Sequence, residues 1–265
     1  MPPELLGAIR EHITAATDWT FDHPTKRVPM EERLRGAGVD RYFALPYAHK
    51  PDIARDLNEW VLDAAARSEM AVPFAAVHGD DQVADVVRDA FIEGARGLKI
   101  QCPVQGSGPD DPRLAPAFDL AAEYDRPVLF HVGTAPVYQD DPNVGAAAFE
   151  SFVASYPEVR VCAAHMGAYE TDRFLDLARE HEQVFLDTTM AMAADAPTYF
   201  DFDPDSVSDE ALVELSGSVM FGSDFPNIPY DYGRERAHLV DRDLPREAQR
   251  ALFDGAADRF LTGVD

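Results

Sequence analysis

The chain has 265 residues, of which 46% are hydrophobic, so it can bury the core of one large α/β domain or two small ones. Its 48 acidic residues outnumber the 23 basic ones, and the net charge of −25 excludes the basic face that nucleic-acid binding requires. No apolar stretch approaches the length of about 20 residues that a membrane span needs, so we expect no membrane partner.

The acidic residues are spread along the chain, often in pairs such as Asp80 and Asp81 or Asp110 and Asp111, and are not gathered in one tail. Dispersed carboxylates are typical of a solvated surface in high salt, where screening reduces the repulsion between like charges. The Asp-rich, Lys-poor balance resembles that of proteins from salt-loving archaea.

The first ten residues lack the basic region and the long apolar region of a secretory signal, so we expect a cytoplasmic protein. The two cysteines, Cys102 and Cys162, form no CxxC pair. Both lie in apolar strand-like runs, where a buried free thiol is ordinary.

In chain order, the sequence begins with a helical pattern at residues 4–16 and then alternates strand and helix signals. The strand-like runs are continuously apolar, which is typical of strands buried on both faces. The helical patterns repeat apolar residues along one face, and the last is predicted over residues 245–261. The strand-like runs are residues 41–46, 71–77, 97–101, 127–131, 160–165, 184–188 and 218–223.

This alternation of strand and helix predicts a parallel sheet. The rival fold is an open doubly wound sheet, but its glycine-rich phosphate turn is absent, as is the GxSxG nucleophile elbow. We therefore predict one domain over residues 1–265 with the (β/α)₈ TIM-like barrel fold. Seven strand-like runs are present where a closed barrel needs eight. Because the chain enters the fold at a helix, we expect this barrel to lack its first strand.

Three of the strand-like runs end in, or are directly followed by, a residue that can hold a metal, namely His131, His165 and Asp224. The strand ends of a parallel barrel converge on one face, so these residues are expected to become neighbours. Two imidazoles and one carboxylate form a plausible ligand set for Zn²⁺, Fe²⁺ or Mn²⁺. The alternative is structural, with hydrogen-bonded histidines at two strand ends and an aspartate that caps a helix.

The sequence blocks around these residues are Gly97-Leu-Lys-Ile-Gln, Pro-Val-Leu-Phe-His131-Val-Gly, Ala-Ala-His165-Met-Gly and Phe-Gly-Ser-Asp224-Phe-Pro. Together they resemble the amidohydrolase superfamily, most closely the amidohydrolase-related (amidohydrolase 2) family of metal-dependent TIM-barrel proteins, which includes decarboxylases of aromatic acids. The resemblance spans residues 41–261. It implies a metal ligand at His131, a second ligand or a water-positioning residue at His165, and a metal-bound general base at Asp224.

The sequence departs from this family at the first strand, which normally carries a D-x-H-x-H motif whose two histidines bind the metal. No HxH occurs anywhere in the chain. Our hypothesis is that the missing strand and the missing motif are one piece, encoded upstream of Met1. The upstream reading frame tests this hypothesis, because an immediate stop codon without an encoded HxH contradicts it.

Two further residues are predicted to bind the substrate. Lys99 has the strand parity of an inward-facing side chain, so it can hold a substrate carboxylate or a buried acid such as Asp187. The resemblance implies another role for Lys99, that of a carboxylated lysine bridging two metals. Tyr230 lies in the loop at residues 225–232, which can roof the active face. The alternative is a rigid, proline-pinned loop packed on the barrel.

The predicted function is metal-dependent hydrolysis of a C–N or C–O bond in a small metabolite. The expected cofactor is one divalent ion, with Zn²⁺ as the first choice and Mn²⁺ or Fe²⁺ as alternatives. A non-oxidative decarboxylase of the same family is the second hypothesis. The third is a catalytically inactive, ligand-binding barrel, because the HxH motif is absent. Open strand edges could also be covered by a homodimer.

Overall fold

The computed structural model describes residues 1–134 and 138–263. None of the helices in these ranges combines the length and the apolarity that crossing a bilayer requires. The strands are β1 (Tyr42–Ala44), β2 (Ala71–Pro73), β3 (Ala75–Ala76), β4 (Leu98–Gln101), β5 (Val128–His131), β6 (Val161–Ala163), β7 (Val184–Asp187) and β8 (Val219–Met220). The helices are α1 (Pro3–Thr17), α2 (Arg27–Gly36), α3 (Ala54–Ala66), α4 (Val83–Ile92), α5 (Cys102–Gln105), α6 (Ala115–Glu123), α7 (Ala146–Ser155), α8 (Thr171–Glu180), α9 (Ala196–Tyr199), α10 (Asp209–Glu214), α11 (Gly233–Asp241), α12 (Arg246–Arg250) and α13 (Ala256–Thr262).

All strands run parallel, and strands that are consecutive in sequence are neighbours in space. Together they form the wall of the barrel. β1 pairs with β2, and β3 to β8 pair consecutively. Where these two sheets meet, the Phe74 N–H donates to the Ala44 carbonyl at 3.1 Å, so the wall continues across the break. β2 and β3 are the two halves of the predicted strand at residues 71–77, which divides at Phe74. The seven predicted strands are therefore confirmed.

The wall is open between β8 and β1, since no ladder of hydrogen bonds joins these two strands within the described ranges. The edge of β8 is instead bonded to the C-terminal helical segment, where the Phe221 N–H donates to the Leu252 carbonyl at 2.8 Å. The opening lies where the first strand of the barrel was expected to be missing.

Aromatic side chains fill the inside of the wall at the N-terminal ends of the strands. Phe260 of α13 stacks on Phe74, with ring centroids 6.4 Å apart, and lies 5.2 Å from the ring of Phe185. Arg160, directly before β6, donates from Nε to the Phe260 carbonyl at 2.7 Å. Helix α13 therefore closes this end of the barrel, and the opposite, C-terminal end is left for the functional groups.

Replacing Phe260 by alanine is expected to lower the free energy of unfolding by about 3 to 5 kcal/mol, because it empties a fully buried aromatic site. Chemical denaturation measures the loss. Ile92→Ala is the matched control, since Ile92 is 68% exposed and its removal should change stability by less than about 0.5 kcal/mol. Equal losses in the two variants would contradict the assignment of α13 to the barrel core.

The N-terminal helices hold the loop that follows β8. Arg10 of α1 donates from Nη2 to the Pro226 carbonyl at 2.7 Å and from Nε to the Asn227 side-chain oxygen at 3.1 Å. The ring of His23, between α1 and α2, bonds through Nε2 to the Tyr230 carbonyl at 2.7 Å. The loop is therefore fixed from outside the barrel as well as from within.

Candidate active site

His131 and His165 are in direct contact at the carboxyl ends of neighbouring strands. His131 is the last residue of β5, and His165 lies two residues beyond β6. His165 Nε2 lies 3.1 Å from His131 Nδ1, and the ring centroids are 4.6 Å apart. Convergence of the parallel strand ends thus joins two residues that are 34 positions apart in sequence.

A left-handed turn places His165. The φ angles of His165, Met166 and Gly167 are 58°, 55° and 75°, so the chain leaves β6 in a conformation that only glycine adopts without strain. The Asp187 carboxylate holds the turn, because its Oδ1 accepts from the His165 N–H at 3.0 Å and from the Thr189 N–H at 3.1 Å. Asp187 therefore contacts the backbone of His165.

Hydrogen bonds define the tautomers of the two histidines. His165 Nδ1 lies 3.0 Å from the Thr189 carbonyl, which only accepts, so Nδ1 carries the proton. Nε2 of a neutral His165 then accepts from the Nδ1–H of His131. His131 Nε2 is left with a lone pair, and this buried nitrogen has no hydrogen-bond partner in the described ranges. Burial lowers the pKa of His131 well below its ordinary value, with His165 and Lys99 adding to the effect, and so keeps the ring neutral.

Asp224 follows β8 in a left-handed conformation, with a φ of 55°, and its side chain is exposed. It lies within electrostatic range of two tyrosines that the sequence did not single out, Tyr47 and Tyr138. Burial is the largest effect that raises the pKa of each phenol, and the charge of Asp224 raises it further, following that of Asp141 in the case of Tyr138. Phenol donors and a carboxylate thus share the C-terminal face of the barrel.

Lys99 lies inside the barrel on β4, as its strand parity predicted, and is 6% exposed. Burial lowers its pKa, while the carboxylates of Asp187 and Asp224 act in the opposite direction. Both carboxylates act on the ammonium through their charge, and neither forms a salt bridge with it within residues 1–134 and 138–263. A buried cation without a close anion is costly, so this position favours an anionic ligand.

A cavity of about 760 Å³ reaches these groups. Lys99, His165 and Asp224 line it, as do residues 42–45 of β1 and its following loop, whereas His131 is not among its lining residues. The cavity therefore extends from the strand ends to β1, beside the opening in the wall, and it has the size of a small-molecule site.

The predicted metal set of His131, His165 and Asp224 is not assembled as a ligand group. Within the described residues, no three His, Cys, Asp or Glu side chains come together as they would around a metal ion. Both ring nitrogens of His165 face protein partners. The unpartnered Nε2 of His131 does fit a metal, because a buried imidazole lone pair is a metal donor. The three-residue set stays a prediction.

Tyr230 is less free than the sequence suggested. Its hydroxyl donates to Oε1 of Glu235 at 2.7 Å, and burial raises its pKa before any effect of that carboxylate. Glu235 itself was missed by the sequence reasoning. The available signal was its position four residues before Leu239 on α11, which puts a carboxylate on the apolar face of the helix.

Comparisons with known proteins agree with this architecture. The sequence model described as Amidohydrolase matches residues 32–262. No curated protein matches the sequence. An uncharacterised TIM-barrel protein from Bordetella bronchiseptica has a similar structure at 15% identity, with a TM-score of 0.77 and coverage of 97% of this chain and 91% of that one.

Two enzymes of known reaction also have similar structures. 5-Carboxyvanillate decarboxylase from Novosphingobium aromaticivorans, solved with manganese and 4-hydroxy-3-methoxy-5-nitrobenzoic acid, is 19% identical at a TM-score of 0.61, covering 87% of this chain and 78% of that one. 4-Oxalomesaconate hydratase from Rhodopseudomonas palustris is 15% identical at a TM-score of 0.60, covering 88% and 79%. At these identities the likeness shows the fold, which is a TIM-like barrel.

Proposed function

The chain belongs to the amidohydrolase family, and on that premise we propose that it is a metal-dependent enzyme acting on a small, carboxylate-bearing metabolite. The observation that carries the proposal is the buried, unpartnered Nε2 of His131, whose ring contacts His165, a residue that lines the cavity. A neutral imidazole held in one tautomer is prepared to donate its lone pair to a metal ion.

We assign the metal to His131 Nε2 and the Asp224 carboxylate. These donors suit Zn²⁺, our first choice, and also Mn²⁺ or Fe²⁺. Manganese in the structurally similar decarboxylase supports a divalent ion. A bound ion of this kind polarises a substrate carbonyl and lowers the pKa of a nearby water to about 7. Asp224 is the group that takes and returns the proton.

The remaining residues orient the reaction. His165 holds His131 in the Nδ1–H tautomer through their direct contact, and this role takes precedence here over direct ligation. Lys99 neutralises a substrate carboxylate inside the barrel, where the surrounding apolar wall strengthens the attraction. Tyr47 and Tyr138 provide phenol groups beside Asp224.

Hydrolysis of a C–N or C–O bond is the first candidate, since a metal, a base and a substrate anchor are the groups that it requires. Non-oxidative decarboxylation is the second, and the buried ammonium of Lys99 favours it because a carboxylate drawn into the barrel can itself be the reacting group. The third alternative is an inactive barrel that only binds a ligand.

Metal analysis and product detection test the proposal. We expect about one divalent ion per purified chain and metal-dependent turnover in a panel of small carboxylic acids, their amides and their esters. Release of CO₂ identifies the decarboxylase, and release of an amine or an alcohol identifies the hydrolase. The inactive barrel would be supported if the protein binds these acids but retains no metal and converts none of them after addition of Zn²⁺ or Mn²⁺.

Lys99→Met is expected to weaken the binding of carboxylate substrates, which raises their KM. The same substitution should stabilise the fold. The folded pKa of Lys99 is below the unfolded value, so the wild type gains stability as pH rises through the interval between them. The advantage of the methionine variant should therefore be greatest at low pH and fade towards pH ~10.4, the ordinary lysine pKa.

Denaturation curves over a pH series measure this advantage. Lys26→Met is the matched control, because Lys26 is exposed and its replacement should not reproduce this pH-dependent advantage. If the stability advantage of Lys99→Met over the wild type were smallest at low pH, the assignment of Lys99 as a buried cation without a close anion would be contradicted.

A further inference from the structure

Glu235 is a buried carboxylate between the two loops that shape the candidate site. It lies on α11 and is 1% exposed. Oε1 accepts from the Tyr230 hydroxyl at 2.7 Å, and Oε2 accepts from the Met190 N–H at 3.3 Å. Tyr230 belongs to the loop after β8, and Met190 to the loop after β7. One side chain therefore joins both loops.

The contact with Met190 leads directly to the histidine pair. Met190 has a φ of 55°, a left-handed conformation that a side chain of its size rarely adopts. The residue before it, Thr189, presents the carbonyl that accepts from His165 Nδ1 at 3.0 Å. A hydrogen bond that fixes the Met190 amide thus fixes the direction of the Thr189 carbonyl. That carbonyl in turn defines the tautomer of His165.

Anchoring of α11 alone does not explain a buried carboxylate. Leu239, one turn further along the same helix, is fully buried and anchors the helix with an apolar side chain. Burying a carboxylate costs free energy unless hydrogen bonds compensate it. Both side-chain hydrogen bonds of Glu235 go to the loops after β7 and β8. The bonds that offset the cost of burying the carboxylate are therefore the same bonds that hold these two loops.

We propose that Glu235 is a positioning residue, which holds the Thr189 carbonyl and the Tyr230 hydroxyl in place and thereby sets the ring orientation and tautomer of His165. The chain of contacts runs from Glu235 through Met190 and Thr189 to His165, and from there to His131. The inference deepens the proposed function, and the value of this arrangement to catalysis rests on that function.

Nitrogen-15 NMR of the histidine rings in the purified full-length chain tests the proposal without a substrate. The His165 signals are identified by their loss in His165→Gln. In the wild type we expect His165 to be protonated at Nδ1, with a proton that exchanges slowly with solvent. In Glu235→Leu this exchange should accelerate about ten-fold, the effect of losing one hydrogen bond of ordinary strength.

Three further variants separate positioning from general stability. Glu235→Gln should retain slow exchange, because an amide oxygen can accept from Met190 while its NH₂ group donates to the Tyr230 hydroxyl. Glu235→Asp, one methylene shorter, should accelerate exchange, and it serves as the decisive variant if Glu235→Leu does not fold. Leu239→Ala should lower stability without altering the His165 ring signals.

A matched control is Glu31→Gln, which changes another buried carboxylate that accepts from a tyrosine hydroxyl, that of Tyr42 at 3.1 Å. It should leave His165 unchanged. Unchanged exchange in the leucine or aspartate variant, fast exchange in Glu235→Gln, or equal acceleration in Leu239→Ala would each overturn the proposal. Absence of metal or turnover would overturn the proposed function but not the ring measurement, so the two failures are distinguishable.

Discussion

Replacing His131 by alanine is expected to abolish tight metal binding and to lower metal-dependent turnover by more than about 100-fold, since loss of an indirect partner alone already costs about 10- to 100-fold. The reason is the buried Nε2 lone pair, which has no partner among the described residues and which alanine removes. Metal content per chain, measured on purified protein, and turnover under excess metal check this expectation.

Two companion variants make the result interpretable. His12→Ala removes an exposed histidine on α1 and should change neither metal content nor turnover. His165→Gln should weaken metal affinity by about 10- to 100-fold without abolishing it, because His165 acts through His131. Complete loss of metal in His165→Gln would instead restore the three-ligand set that the sequence predicted. Full metal occupancy in His131→Ala would contradict the assignment of His131.

Replacing Gly167 by alanine is expected to be the most destabilising small substitution in the site. The φ angle of 75° disfavours any side chain, and an added Cβ would lie 2.0 Å from Cδ2 of Phe174. Phe174 is fully buried, so its ring has little room to move. Left-handed strain and overpacking together should lower the free energy of unfolding by about 2 to 5 kcal/mol.

Denaturation of Gly167→Ala beside Gly7→Ala measures this effect. Gly7 lies within α1 with open space around its Cα hydrogens, so alanine there should stabilise the protein by about 0.5 to 1 kcal/mol. The same glycine-to-alanine change thus has opposite signs at the two positions. A Gly167→Ala protein as stable as the wild type would contradict the turn geometry that places His165.

The consequence for function follows from the position of Gly167, two residues after His165. If the turn relaxes to accept alanine, the His165 N–H moves away from Asp187 and the contact between the two histidine rings is disturbed. The Gly167→Ala protein that does fold should therefore also have reduced metal affinity.

The sequence was sufficient to predict the strands and the chain order of the site. Continuous apolar runs formed strands at the predicted positions because burial on both faces of a sheet requires apolar residues without interruption. The open wall was expected from seven strand-like runs in a fold that closes with eight. The ends of β5, β6 and β8 were identified because each of these apolar runs is closed by a residue that can hold a metal.

What the sequence could not specify was the direction of individual polar atoms. His131 and His165 looked alike as metal ligands. In the structure the ring of His165 is hydrogen-bonded at both nitrogens, to the Thr189 carbonyl and to His131, whereas Nε2 of His131 keeps a buried lone pair. Tyr230 looked like a free substrate contact, yet its hydroxyl donates to Glu235. Each of these differences depends on a partner that is distant in sequence.

Strand positions and strand ends were thus determined by the sequence itself, because hydrophobic burial has a periodicity that neighbouring residues share. The hydrogen-bond partners of His131, His165 and Glu235 were decided only by the tertiary structure. Hydrogen bonds depend on distance and direction between specific atoms, and folding alone brings the loops after β6, β7 and β8 within that reach.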